Sequence, residues 1–192
     1  VELKEFTLSD TPQEISGEVK GSNIKIYTAS QVQLKDFDAS GMKLSSVNIN
    51  KSRALDNLNL NNNELTEIDL SNNFSFNSIQ LDNNKLTTLS IKGLTNMKML
   101  SCDNNQLESI VFEASAPILS DISCSGNKLK DLSFLSRASS VEVLDFSHNE
   151  VSDYMFTTMY NIRDLNMSYN KFKSVNLAYN TKLEKLNVEG NY

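Results

Sequence analysis

Apolar and polar positions along this 192-residue chain recur with one period from Leu34 to the last residue. Leu58-Asn59-Leu60 alternates apolar and polar, and Asn63 and Leu65 follow at fixed offsets. The same phase returns at Ile79, Leu81, Asn84 and Leu86, and again at Leu100, Cys102, Asn105 and Leu107. It continues through Ile122, Cys124, Asn127 and Leu129, then Leu144, Phe146, Asn149 and Val151. The last copies are Leu165, Met167, Asn170 and Phe172, then Leu186, Val188 and Asn191. Successive Asn spacings are 21, 21, 22, 22, 21 and 21. A degenerate first copy holds Leu34, Phe37, Ala39 and Leu44 in phase, with Met42 in place of Asn. Alternation with period two marks a strand with one buried face. So short a unit cannot close a core alone, so copies must stack, each strand pairing with its equivalent in the next turn about 4.8 Å away. The pattern predicts a coil with a parallel sheet along one side. Each Asn turns inward and satisfies backbone groups of the bend that ends the strand. An unpaired buried amide costs on the order of 1–3 kcal/mol, which makes every such Asn a stability position.

The segment Leu55-x-x-Leu58-x-Leu60-x-x-Asn63-x-Leu65 resembles the leucine-rich repeat family, and the resemblance runs from Leu34 to the end. It implies an α/β-class leucine-rich repeat solenoid that is mostly β. The coil would be right-handed, with the parallel sheet on its concave side and extended or 3₁₀ turns on its convex side. The second half of a repeat reads Leu65-Thr66-Glu67-Ile68-Asp69-Leu70, a further strand-like alternation, similar to the short 21-residue bacterial subtype. Two repeats drift from it. Leu129, Leu132 and Leu135, and then Val151, Tyr154 and Phe156-x-x-Met159, space apolar residues by about three, similar to the convex turns of internalins. Short 3₁₀ turns are expected there. Residues 1–33 are out of phase and read as an N-terminal β-cap, with short strands at Lys4–Leu8, Ile15–Val19 and Ile24–Tyr27. Residues 34–192 form an array of about eight repeats. Leu186 and Val188 have nothing dedicated after them to cover the end, so either Tyr192 folds over it or a second chain does, as an end-to-end homodimer.

Composition narrows the functions. Asn occurs 25 times against 24 Leu, which a regular ladder of Asn explains. At 39% hydrophobic and 22% charged residues the chain is too apolar for a disordered polymer and too polar for a helical membrane protein. A net charge of -6 and a pI near 4.9 argue against nucleic acid as a partner. One His and two Cys leave little material for a zinc site or a Cys/His catalytic pair. Cys102 and Cys124 share one strand position in adjacent repeats and read as free, inward-facing thiols rather than a bridge. His148, beside Asn149, reads as a solvated rim residue. No cofactor is implied. The chain begins at Val1 without an apolar leader, so a removed leader and an extracellular or cell-surface location are expectations of the resemblance alone.

Strands in register would make the concave face legible. Its central column reads Asp38, Asn59, Gln80, Ser101, Ser123, Asp145, Asn166 and Asn187. The column before it reads Asp36, Asn57, Ser78, Met99, Asp121, Val143, Asp164 and Lys185, and the column after reads Ser40, Asn61, Asp82, Asp103, Ser125, Ser147, Ser168 and Glu189. The face is short-chained, polar and acidic, without Arg or aromatic residues, which favours a basic partner over a tight aromatic anchor. Candidate ligand-binding residues are Asp36, Asp38, Asp82, Asp103, Asp121, Asp145 and Asp164. Of these, Asp121, Asp145 and Asp164 could share a cation, although solubility of an exposed sheet is the simpler explanation. A second candidate surface is the convex turn of repeat six, where Met155, Met159 and Tyr160 read as partly exposed, with core packing as the simpler alternative. The resemblance implies a non-catalytic recognition module for a protein or glycan ligand. A structural spacer in a surface assembly is the alternative, and a carboxylate-pair glycan enzyme is a further one that lacks any evident cleft.

Overall fold

The computed structural model describes residues 34–49, 52–112 and 118–192, so the expected cap over 1–33 lies outside the described residues. Among the described residues there are ten three-residue strands: β1 (Asp36–Asp38), β2 (Asn57–Asn59), β3 (Ser78–Gln80), β4 (Thr88–Ser90), β5 (Met99–Ser101), β6 (Ser109–Val111), β7 (Asp121–Ser123), β8 (Val143–Asp145), β9 (Asp164–Asn166) and β10 (Lys185–Asn187). Eight of them form one parallel sheet in the order β1-β2-β3-β5-β7-β8-β9-β10. Each strand pairs with its equivalent one turn on, in the register Asp38, Asn59, Gln80, Ser101, Ser123, Asp145, Asn166, Asn187. The molecule is therefore a mostly-β parallel solenoid of the leucine-rich repeat kind. The described residues contain no α-helix, and none of their helices is long and apolar enough to cross a membrane.

The convex side follows the two patterns in the sequence. Where the alternation is clean, the convex segments of successive turns pair as a second, two-stranded parallel sheet, β4 with β6. Where the apolar spacing is three, 3₁₀ turns form instead, at Ser133–Arg137 and Phe156–Thr158. Between the two sides runs one continuous core of Leu, Ile, Phe and Met, with Leu58, Ile79, Leu100, Ile122, Leu144 and Leu165 all buried.

The Asn ladder closes each turn. Asn105 donates from Nδ2 to the carbonyls of Cys102 and Asp103 in its own turn and to that of Leu81 in the turn before, while its Oδ1 accepts the Leu86 N–H at 3.0 Å. The pattern repeats at Asn63, Asn84, Asn127, Asn149 and Asn170, all buried, and at Asn191. One amide therefore pins its own bend and ties it to the preceding turn. A smaller use of the same device, which the sequence pattern did not reveal, lies on the convex side. Buried Asn73 donates to the carbonyls of Ile49 and Ser52, and buried Asn180 donates to those of Phe156 and Met159.

The residue before each ladder Asn adopts a left-handed backbone. Asn62, Asn83, Asn104, His148 and Tyr169 have φ between 53° and 57°, and Gly126 and Gly190 take the same conformation in their turns. Asn and Gly tolerate this region best, and the column Asn, Asn, Asn, Gly, His, Tyr, Gly carries that signal in plain view. His148 and Tyr169 are the departures. Their rings stack on each other at 4.4 Å, and Tyr169 lies so close over Gly190 that a Cβ there would meet its ring at 2.5 Å.

Candidate functional site

The strand register brings the three concave columns together as read from the sequence, because a side-chain period of two leaves no freedom about which face a residue takes. What the columns do with their polar groups is decided by the spacing between turns. Side chains of one turn donate to those of the turn before. Asn57 donates to Asp36 at 2.5 Å, Asn59 to Asp38 at 2.9 Å, Ser101 to Asp82 at 2.7 Å, and Ser123 to Asp103 at 2.7 Å. Asn166 donates to Asp145 at 2.8 Å, and the Lys185 ammonium reaches Asp164 at 3.1 Å. Backbone N–H groups complete the set: Ser40 donates to Asp38, Asp103 to Asp82, Ser125 to Asp103, and Ser147 to Asp145. Asp121 accepts the Ser120 hydroxyl. The floor is a preorganised hydrogen-bond relay rather than a row of free carboxylates.

Charge is not balanced in the same way. The outer rims of the coil are zipped by ion pairs between successive turns: Lys35 with Asp56, Lys85 with Glu64, Lys171 with Glu150, and Arg163 with both Glu142 and Glu184. On the floor, among the described residues, only Asp164 has an ion-pair partner; Asp82, Asp103, Asp121 and Asp145 have hydrogen bonds and no cation. The consequence shows at Asp103. Burial raises its pKa above the ordinary carboxylate value, the Ser123 and Ser125 hydrogen bonds oppose this, and the charges of Asp82 and Asp145 add to the rise. Asp38, on β1, goes the other way, lowered chiefly by the Ser40 N–H.

A raised carboxylate pKa binds its proton more tightly in the folded than in the unfolded chain. Asp103 therefore weakens the fold above its folded pKa, and that loss is relieved as pH falls through the raised value toward the unfolded one. Asp103→Asn, which keeps an acceptor for Ser123, is expected to raise Tm at pH 7. The gain should shrink as pH is lowered through the acid range. A Tm difference independent of pH in calorimetric scans would show that the charge on Asp103 is not the cause.

The acidic trio Asp121, Asp145 and Asp164 does not converge. Asp121 and Asp164 occupy one column with Val143 between them, Asp145 stands in the next column, and Asp164 is engaged by Lys185. Among the described residues no three His, Cys, Asp or Glu side chains gather as a metal-ligand set. A shallow depression of about 360 Å³ opens at this end of the face, lined by Val143, Asp145, Asp164, Asn166, Lys185 and Asn187. Tyr169, whose ring stacks on His148, donates its hydroxyl to Glu189 at 2.8 Å.

The convex candidates divide. Met155 and Tyr160 are exposed, at 75% and 55%. Met159 is not: it is fully buried, and its expected exposure is corrected by the geometry of the Phe156–Thr158 turn. A 3₁₀ turn has three residues per revolution, so Phe156 and Met159 point to the same inward side. The Met159 N–H also donates to the Phe156 carbonyl, fixing the turn. Cys102 and Cys124 are free, buried neighbours, and burial pushes the Cys102 thiol well up, so neither is a reactive thiolate. Cys102 Sγ donates to the Ser123 carbonyl at 3.5 Å.

No protein-family model and no curated protein matches the sequence. Solved structures do match. The functional domain of InlJ from Listeria monocytogenes, described as including a cysteine ladder, is 25% identical, with a TM-score of 0.64 over 83% of this chain and 40% of that one. The leucine-rich effector YopM from Yersinia pestis is 26% identical, with a TM-score of 0.66 over 81% and 42%. The internalin inlF from Listeria monocytogenes is 19% identical, with a TM-score of 0.74 over 82% and 48%. The chain thus spans less than half the length of these three proteins. Repeat solenoids of this kind use their extended concave surfaces for binding. Period, register, inward Asn ladder and these structural likenesses together make the chain a leucine-rich repeat protein, with internalins and YopM among the structures it is similar to.

Proposed function

We propose that the chain is a non-catalytic recognition module of an exported protein, acting outside the cell, and that its concave face binds a protein through a basic surface or segment. The observation that carries this reading is the unbalanced floor. Asp82, Asp103, Asp121 and Asp145 stand on a rigid, internally hydrogen-bonded sheet without a cation, and a partner's Lys or Arg would supply the missing charge. A glycan ligand is less well served, since the floor offers no open aromatic face for a sugar ring. Export is drawn from the likeness to internalins.

The test is retention of the 192-residue chain on an immobilised Arg/Lys-rich peptide against a Glu-rich peptide of equal length. Wild type should be retained by the basic peptide only, with retention falling as salt rises. Asp121→Lys combined with Asp145→Lys should abolish it. Met155→Asp with Tyr160→Asp should leave it unchanged. Loss with the convex pair and not with the concave pair would move the site to the convex turn and overturn the proposal.

A further inference from the structure

The residues that precede the ladder Asn form a column of their own along one rim of the concave face: Asn62, Asn83, Asn104, Gly126, His148, Tyr169 and Gly190. All share one left-handed backbone, with φ between 53° and 67°, so their side chains leave the coil in the same direction. They lean onto the turn that follows. A Cβ on Gly126 would meet Oδ1 of Asn104 at 2.6 Å, and a Cβ on Gly190 would meet the Tyr169 ring at 2.5 Å. By the same lean the His148 ring lies on that of Tyr169, with centroids 4.4 Å apart and planes 10° from parallel. From Asn104 onward the rim is a stack of flat groups, one layer per turn.

One layer is missing. Gly126 supplies no side chain, so the stack stops at the Asn104 amide and resumes at the His148 imidazole two turns on. At about 4.8 Å per turn, these two planes are about 9–10 Å apart, room for a single flat group in contact with both. The far wall is firm. Tyr169 backs the imidazole, and is itself held by its hydroxyl bond to Glu189 at 2.8 Å and by its seat over Gly190. Both walls are open to solvent, since Asn104 and His148 are exposed. Oδ1 of Asn104, a hydrogen-bond acceptor, is turned to the base of the gap.

The surroundings set the sign of the occupant. Asp103 precedes Asn104, Asp145 stands on the turn of His148, and the two carboxylates repel each other across the turn of Gly126. Neither has an ion-pair partner among the described residues. An occupant that suits the gap is flat, positively charged and rich in donors, which among protein side chains describes the arginine guanidinium.

We propose that the gap over Gly126 receives one arginine of the basic partner, its guanidinium lying on the open face of His148, donating to Oδ1 of Asn104 and balancing the charge of Asp103 and Asp145. Lysine supplies the charge and not the plane, so the rim selects arginine. This assignment rests on the concave face binding a basic segment, and adds which residue of that segment is chosen and where it sits.

Binding of the 192-residue chain to immobilised oligo-arginine and oligo-lysine peptides of equal length tests it. Wild type is expected to bind the arginine peptide at least about fivefold more tightly. His148→Asn removes the ring and installs the residue that Asn62, Asn83 and Asn104 carry in this left-handed position, so the fold is kept. It should bring the two Kd values to within about twofold of each other, by weakening the arginine peptide alone. Gly126→Asn fills the gap with a side chain of the same kind, displacing the flexible Asn104 amide, and should have the same effect. A circular-dichroism melt confirms folding of each variant, and an unchanged Kd for the lysine peptide shows that the acidic floor is intact. Equal Kd values for wild type, or an arginine preference that survives both substitutions, would overturn the arginine site and leave the concave reading standing. Retention of wild type on neither peptide would overturn both.

Discussion

Asn105→Ala is expected to destabilise the fold by about 2–3 kcal/mol, far more than removal of one polar side chain from a surface. The amide of Asn105 makes four hydrogen bonds in a buried position: three from Nδ2 to the carbonyls of Leu81, Cys102 and Asp103, and one to Oδ1 from the Leu86 N–H. Alanine removes all of them and lets no water in. The carbonyls of Leu81, Cys102 and Asp103 retain the Asn84 amide, the Asn127 amide and the Asn83 N–H as donors, so the main cost falls on the Leu86 N–H, left buried without an acceptor, and on the loosened bend. Asn105→Asp should be at least as costly, because a carboxylate would face those carbonyls. The same change at Asn191 should cost about 1 kcal/mol or less, since that amide is partly open to solvent. Denaturant unfolding monitored by circular dichroism reads the difference. Equal effects at Asn105 and Asn191 would mean that the buried amide is not what closes a turn. Because each turn contacts only its neighbours, a break in the middle of the array should also broaden the transition, as the two halves lose their coupling.

Phe146→Ala should cost about 3–5 kcal/mol by loss of buried contacts and the cavity left behind. Phe146 fills the core position that Leu60, Leu81 and Cys124 fill in other turns. It is fully buried, with its ring 6.3 Å from that of Phe156 and 6.1 Å from that of Phe172. This aromatic cluster links the 3₁₀ turn of one repeat to the next strand, so the damage should spread locally. Amide exchange ought to accelerate in the turns holding Phe156 and Phe172 before it does near Leu58. Met155→Ala, one residue from Phe156 but exposed, should change stability by less than about 0.5 kcal/mol. A comparable loss from Met155→Ala would contradict the placement of the two side chains.

The long sheet and its face were legible because they depend on a single number, the spacing between Asn residues. Once that spacing places Asn63 below Asn84 and Asn84 below Asn105, the columns containing Asp38, Asn59 and Gln80 or Asp82 and Asp103 follow without choice. The two 22-residue steps, Asn105 to Asn127 and Asn127 to Asn149, leave the strand register untouched, and the second of them contains the first 3₁₀ turn. The spacing of three in Phe156-x-x-Met159 announced the second 3₁₀ turn and also implied the burial of Met159; reading the methionine as surface ignored its own period. The left-handed column could have been found from Asn62, Asn83, Asn104, Gly126 and Gly190. His148 and Tyr169 obscured it, since neither residue type signals that conformation by itself.

By itself, then, the sequence determined period, strand register, the inward Asn ladder and the identity of every concave side chain, because each follows from the parity of a repeating backbone. Only the tertiary structure decided how those side chains spend their hydrogen bonds. Whether Asp103 meets Ser123, Lys185 meets Asp164 or Tyr169 reaches Glu189 depends on the distance and twist between neighbouring turns. That geometry is set by the packing of the whole core and is not encoded in any one repeat.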